Sequence, residues 1–557
     1  MTDPRRTAPS RRTSTSLGAR FAAGVMAGAL AASVAVAQPR DSGERNRPGL
    51  LARMTGFHTE VPAHPFDIVL VNPTPKSVTA SVVAYADTEG YLELVGSSRP
   101  ALGGTGRTDT RLLKAGEPAL FVLSSLRADA AYSYRFWSRP AVPGTGNAKK
   151  PEFAPSEQYS FHTPRPAGSP FSFTVIADSH LDANMTPAVY ERTLANALAD
   201  KPDFHIDLGD TFMTDKRGRD FKAALPQYAA QRYYFGKLCC CAPLFMVLGN
   251  HDGEWGYARG DADAMAPWSF AQRTSYFPPP AITDDADGKA MYSGWTTCAK
   301  GQGANYYAFT WGDAQFIVLD PFWFTNEKAR GPGGRGGGGG SSKGGKGGPG
   351  GDSGNGGRPA DDADTTLTDQ GWLMTLGQPQ YEWLTRTLEA SRSKFKFVFI
   401  HHLVGGHGRS SRGGIAAAPY FEWGGKNADG SDGFAQHRPG WAMPIHRLLV
   451  EHQVSAVFHG HDHLYVHEEL DGIAYQCVPQ PGNLNGGTRS AADYGYRAGT
   501  ILASPGHVRV SVSPETAMVE FVRSGNPAVP AVGKGDRIGS GTVVDSYVIR
   551  APHAAPQ

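Results

Sequence analysis

The chain has little cysteine for its length: five residues, at positions 239, 240, 241, 298 and 477 of 557. An odd and sparse set makes no disulfide framework, so stability must come from buried apolar cores. Cys239, Cys240 and Cys241 precede an apolar strand and read as small buried packing residues rather than as a metal site. One bridge involving Cys298 stays open, and the sequence does not choose its partner. Charge of one sign is lacking too. The formal net charge is +2, with no basic block beyond the extreme N-terminus, which gives no electrostatic footprint for nucleic acid or a membrane surface. Long apolar runs are scarce. Apart from an Ala-rich stretch from Phe21 to Ala37, nothing approaches the roughly 20 residues that span a bilayer.

That stretch follows Arg11-Arg12 in a Ser/Thr-rich basic start and ends Ala35-Val36-Ala37-Gln38, a small-x-small cleavage pattern. Residues 1–37 are expected to be a secretory signal peptide, with the paired arginines pointing to the twin-arginine route. The expectation is a secreted or periplasmic protein with no membrane anchor after cleavage. The competing reading, an uncleaved anchor, suits a longer and more strongly apolar segment.

What is present in quantity is short apolar runs that stop at polar clusters. Asp178-Ser179-His180 follows FSFTVIA, Gly209-Asp210 follows FHIDL, and Gly249-Asn250-His251-Asp252 follows PLFMVL. His401-His402 follows FKFVFI, and Gly460-His461-Asp462-His463 follows VSAVFH. Such a run delivers its cluster to the carboxyl edge of a sheet, where open α/β folds keep their ligand crevice. Carboxylate oxygen, amide oxygen and imidazole nitrogen suit Zn, Mn and Fe(II). Any one cluster is as readily a turn or a helix cap. Five in order supply enough ligands for a two-metal hydrolytic site.

Read together, DSH, GD, GNHD, HH and GHDH resemble the calcineurin-like metallophosphoesterase superfamily, closest to bacterial proteins related to purple acid phosphatases, over Phe171 to Tyr465. The resemblance implies that Asp178, His180, Asp210 and His463 hold one metal. It implies that Asp210, Asn250, His401 and His461 hold the second, with Asp210 bridging. His401 is taken over His402 because the family uses the first His after the strand. His251 is implied as general acid and phosphoryl hydrogen-bond partner, with Asp210 and Asn250 beside it in the chemistry. Purple acid phosphatases add a tyrosine ligand three residues after the bridging aspartate. Here that position is Met213, and His180 stands where those enzymes lack a ligand, so a colourless centre of two divalent ions (Fe, Mn or Zn) is expected.

The implied fold is a layered α/β/β/α metallophosphoesterase sandwich preceded by a fibronectin type III-like β-sandwich. Residues 51–165 carry short alternating strands broken by Pro, Gly and Asn turns. Leu126 to Arg135 is similar to the tyrosine-corner stretch of such sandwiches. Structural support is the first reading of this module and carbohydrate binding the second. Residues 170–485 form the expected catalytic domain, with helices opening at Thr186-Pro187 and near Pro379. A Gly-dominated insert at 331–358 cannot bury a core and reads as a disordered loop or, less simply, a substrate lid. Strands in residues 486–557 close the catalytic sandwich.

The chemistry this inventory implies is hydrolysis of a small-molecule phosphate ester. A water between two divalent cations is acid enough to give hydroxide near neutral pH. His251 then protonates the leaving oxygen. Asp252 either orients His251 or caps a helix. His407 and Arg409, in the loop after the His401 strand, are candidate substrate contacts. Three functions remain in play: an exported phosphomonoesterase, a phosphodiesterase or nucleotide or phospholipid-head-group hydrolase with the same site, and a non-catalytic binding protein. The full ligand set together with His251 argues against the last.

Overall fold

The apolar runs fold as short buried strands, as parallel strands covered on both faces must. The computed structural model describes residues 56–96, 105–142, 150–260, 264–282, 291–295, 305–328, 369–406, 412–525 and 540–552. Two mixed sheets dominate. The six-stranded sheet runs Leu244–Met246, Phe204–Asp207, Phe171–Ile176, Gly506–Val512, Thr516–Arg523, Thr542–Arg550. Its first three strands are parallel to one another. The C-terminal Gly506–Val512 strand joins Phe171–Ile176 antiparallel, and two further antiparallel strands follow it. In the eight-stranded sheet, Ala314–Val318, Phe395–Phe399, Ala456–His459 and Ile473–Cys477 are parallel neighbours.

The sheets pack face to face through aromatic side chains. Phe173, Phe204 and Phe245 of the first meet Phe309, Phe316, Phe397, Phe399 and Phe458 of the second. The Phe204 and Phe316 rings meet edge to face at 5.1 Å, a favoured aromatic geometry. Helices Pro187–Ala199 and Phe221–Cys239 cover the outer face of the first sheet through Tyr190, Leu194, Tyr234 and Leu238. Helices Gly377–Ala390 and Ile445–Glu451 cover the second through Tyr381, Leu384, Leu388 and Leu448. The order of layers is therefore α/β/β/α.

Pro187 opens its helix at the first turn, where its missing N–H is no loss. The helix expected from Pro379 starts two residues earlier, at Gly377. Gly377 has a φ of +75° and lies against the Phe324 ring, a position that excludes a Cβ.

Ahead of these layers, strands between Phe66 and His162 form one three-stranded and one five-stranded sheet. They share a core of Leu70, Val82, Leu92, Phe121, Tyr134 and Phe136. The Tyr132 hydroxyl accepts a hydrogen bond from the Arg127 N–H at 2.7 Å, a tyrosine returning to backbone just upstream. This module rests on helix Phe221–Cys239. The buried Arg232 donates to the Ser81 carbonyl at 2.6 Å and the Tyr276 carbonyl at 2.8 Å, and the Tyr134 hydroxyl donates to the Cys240 carbonyl at 2.6 Å. Cys239 and Cys240 are buried at this joint, and Cys239, Cys240, Cys241 and Cys477 are free thiols.

The expected signal segment, the Gly-rich insert at 331–358, Cys298, His407 and Arg409 lie outside the described residues. Among the described residues no helix is long and apolar enough to cross a membrane.

Candidate metal centre

All five polar clusters lie just past the carboxyl ends of parallel strands, three on the first sheet and two on the second. Packing the sheets face to face brings their loops together at one edge. The loops are then knitted by backbone. Asp178 N–H donates to the Gly209 carbonyl at 2.9 Å, and Gly460 N–H to the His401 carbonyl at 2.8 Å. Asp178 Oδ2 accepts from His461 N–H at 2.8 Å, and Asp210 Oδ1 accepts from His251 N–H at 2.7 Å. Each carboxylate thus spends one oxygen on another cluster's backbone and turns the other inward.

The approach of the loops is close enough to require glycine. A Cβ on Gly249 would fall on the Asp210 backbone and carboxylate, and one on Gly209 would fall on Gly249 N. Asp178, Asp210, His461 and His463 adopt φ values of +56°, +55°, +73° and +57°. Non-glycine residues seldom hold such values, and those that do cluster at functional sites.

Two triads converge there: Asp178, His180 and His463, and Asp210, His401 and His461, with the candidate ligand atoms of each triad within 4.8 Å of one another. His463 Nε2 is 3.3 Å from Asp178 Oδ1 and 3.3 Å from His180 Nε2. His401 Nε2 is 3.1 Å from Asp210 Oδ2 and 3.9 Å from Asp178 Oδ1. Asp178 Oδ1, Asn250 Oδ1 and His401 Nε2 are buried without a hydrogen-bond partner. Buried polar atoms are almost always paired, so inward-facing O and N lone pairs left this way fit metal ions.

Electrostatics agree. Burial works against a charged imidazole at His401, but Asp210 and Asp178 outweigh it and push its pKa up to about 10. Asp182 and Asp178 likewise lift His180, against burial, to about 9. Burial raises the Asp210 carboxyl, yet His401 and His251 hold it far below the ordinary carboxylate range. The carboxylates thus hold these imidazoles in their charged form, and a cation bound by the deprotonated rings would take the place of that charge.

The choice between the two adjacent histidines has a local cause. His401 Nδ1 lies 2.8 Å from the Leu208 carbonyl and carries a proton there, which turns Nε2 to Asp210 as the nitrogen a metal would take once it is deprotonated. His402 instead packs its ring edge-on to Phe322, with Nδ1 3.1 Å from the Leu403 carbonyl.

His251 lies beside the second triad. Its Nδ1 is 2.8 Å from Asp215 Oδ2, and Asp210 and Asp215 together raise its pKa against the effect of burial. Asp215, not Asp252, is therefore its side-chain partner. Asp252 accepts from the backbone N–H groups of Thr211, Gly249, Phe212 and Asp210 at 2.8, 2.8, 2.9 and 3.2 Å. It braces two ligand loops rather than orienting the histidine or capping a helix.

Two more supports come from elements without any motif. Gln231, on the helix that carries the N-terminal module, donates to the Ser179 and Thr211 carbonyls at 2.8 and 3.0 Å. Arg412 donates from Nε to Asp462 Oδ1 at 2.8 Å, with Nη2 2.9 Å from His461 Nε2. Asp215 and Arg412 had a faint signal as polar residues in ligand-bearing loops. Gln231 had none, because its face of the helix is set by tertiary packing.

Comparison with known proteins follows the same line. Residues 171–332 match the family model of the calcineurin-like phosphoesterases, and this part of the chain is a calcineurin-like phosphoesterase domain. Such a domain belongs to metal-dependent phosphoric ester hydrolases. Purple acid phosphatase PPD1 from yellow lupin (Lupinus luteus) seeds is similar at 14% identity over 87% of this chain and 74% of that chain, with a TM-score of 0.50. A structure of PhoD is similar at 14% identity over 88% of this chain and 91% of that chain, with a TM-score of 0.54. At this identity the likeness is one of fold. No curated protein matches the chain.

Proposed function

We propose that the protein is an exported phosphatase that hydrolyses phosphate monoesters at a binuclear metal centre. Asp178, His180, Asp210 and His463 would hold one ion; Asp210, Asn250, His401 and His461 would hold the other. When bound, two divalent ions supply positive charge for phosphoryl oxygens and a strongly acidified water. The chain's own residues do the rest. Asp178 and Asp210 fix the ligand loops through the His461 and His251 amides while presenting their second oxygens. Asp215 holds the His251 ring at Nδ1, which leaves Nε2–H to donate to a leaving oxygen.

The observation that carries this reading is the convergence of the two triads with His251, whose pKa Asp210 and Asp215 raise. The test is hydrolysis of p-nitrophenyl phosphate beside bis-p-nitrophenyl phosphate by protein reconstituted with Mn, Zn or Fe, with Asp210→Ala as the blank. Metal-dependent turnover of the monoester above the diester is expected. A preference for the diester would make the enzyme a phosphodiesterase, and no turnover with any metal would remove the assigned chemistry.

A further inference from the structure

Three cysteines in a row go to different places. Cys239 ends helix Phe221–Cys239 and belongs to the core between that helix and the first sheet. Cys240 belongs instead to the core of the N-terminal module, and the half-buried Cys241 packs against the same core. The Cys240 and Cys241 sulfurs lie 3.6 Å apart, about 1.5 Å more than a disulfide bond.

The two thiols are unequal. The Cys240 S–H brings the Cys241 thiol down to about 7. The Cys240 thiol is pushed up, first by its bond to Cys241 and then by burial. Cys241 is also the more accessible of the pair. An accessible thiolate with a second thiol behind it is the arrangement that thiol–disulfide exchange uses.

The peptide between them is pinned at both ends. Its carbonyl, on Cys240, accepts from the buried Tyr134 hydroxyl of the N-terminal module at 2.6 Å. Its N–H, on Cys241, donates to the Leu238 carbonyl at the helix end at 3.0 Å. One peptide thus ties strand Ala131–Pro140 to the helix whose Gln231 holds the Ser179 and Thr211 carbonyls.

We infer that Cys240 and Cys241 are a modification site, a vicinal dithiol that closes to a disulfide by exchange with a small-molecule disulfide and so acts on the joint between the N-terminal module and the catalytic layers. The Cys241 thiolate attacks one sulfur of the small disulfide, which breaks its S–S bond and releases one small thiolate. That thiolate takes up the proton Cys241 had lost. In the mixed disulfide Cys240 no longer has the bond to the Cys241 thiolate that raised it. Cys240 then loses its proton and attacks the Cys241 sulfur, which closes the ring and releases the second small thiol. The two cysteines give up two electrons between them, and the small disulfide is reduced to two thiols. The ring contains the Cys240–Cys241 peptide, so drawing the sulfurs together turns that peptide and strains its bonds to Tyr134 and Leu238. A ring between neighbours constrains the unfolded chain little, so the strain is not offset there, and a strained disulfide is readily reduced again.

The test exposes the reduced, folded protein to excess oxidised glutathione near neutral pH, followed by intact mass, peptide mapping and thermal unfolding. The expected product links Cys240 to Cys241, carries no glutathione at that pair, and reverts with dithiothreitol. Its Tm should fall by about 1–3 °C, the scale of one lost buried hydrogen bond in a large chain. In Tyr134→Phe, which lacks the hydroxyl, the same oxidation should move Tm much less. No crosslink in the folded protein overturns the site, as does a glutathione adduct that stays on Cys241 or a link from Cys240 to Cys239. A Cys240–Cys241 link that leaves Tm unmoved, or moves it equally in Tyr134→Phe, overturns the action on the joint.

Discussion

The two sheets before Pro164 and the two after it are built from the same material, short apolar strands with aromatic cores, yet they treat their polar atoms in opposite ways. In the N-terminal module, polar groups close on neighbouring backbone. Tyr132 accepts from Arg127 N–H, and the Thr163 hydroxyl donates to the Arg127 carbonyl at 2.8 Å. Of the residues of positive φ there, Asn72 sits at a bulge near the end of strand Phe66–Thr74, and Ser125 and Asp129 lie between strands. In the catalytic layers four of the residues of positive φ, Asp178, Asp210, His461 and His463, are themselves candidate ligands, and Asp178 Oδ1, Asn250 Oδ1 and His401 Nε2 are buried without hydrogen-bond partners. Strain and unsatisfied polarity held in place by dense packing mark a region shaped for a ligand, while satisfied turns mark one shaped for stability.

The largest expected break in this contrast is Asp210→Ala. It removes the proposed bridging ligand and the acceptor for His251 N–H, and should lower phosphatase activity by more than about a thousandfold. Metal content of the purified variant, falling below two ions per chain, checks the cause. Next is His251→Ala, expected to lower kcat by about a hundredfold on an alkyl phosphate and less on p-nitrophenyl phosphate, whose leaving group needs little protonation.

Asp215→Asn sharpens the same point through pH. Asp215 helps to raise the His251 pKa, so its neutralisation lowers that pKa. A general acid must be protonated, so the alkaline limb of the kcat profile should move to lower pH, with a smaller fall in rate at neutral pH. A profile that does not move would assign Asp215 a purely structural part.

Metal uptake has its own pH dependence. His401 and His180, lifted to about 10 and about 9 in the metal-free site, are protonated at neutral pH. Ions bind only the deprotonated rings, so binding must release protons and tighten as pH rises. Calorimetry of Mn binding in buffers of different ionisation enthalpy reads the protons directly; none released would contradict the raised pKa values of His401 and His180. The smallest effect is expected on the other side of the comparison. Tyr132→Phe should cost about 1 kcal/mol in urea unfolding and leave kcat unchanged.

Much of the centre was legible because its ligands follow strands. An apolar run ending in Asp, Asn or His announces both the strand and where its loop will lie, and Gly209 and Gly249 announce close approach. Asp215, Gln231 and Arg412 were not legible as partners because nothing local sets what they touch. Asp252 shows the limit most plainly. Its place beside His251 in the chain offered either a bond to that ring or a helix cap, but its side chain turns to the backbone of Asp210, Thr211, Phe212 and Gly249.

By itself, the sequence determined the strand periodicity, the identity and order of the inward-facing side chains, and the glycines that let two loops touch. Those are properties of neighbouring residues and of donor chemistry. Only the tertiary structure decided that His401 rather than His402 turns its Nε2 to Asp210, that Asp215 holds His251, and that Arg412 is anchored through Asp462. Each depends on a partner in a distant part of the chain, and only the packing of two sheets brings such partners within bonding distance.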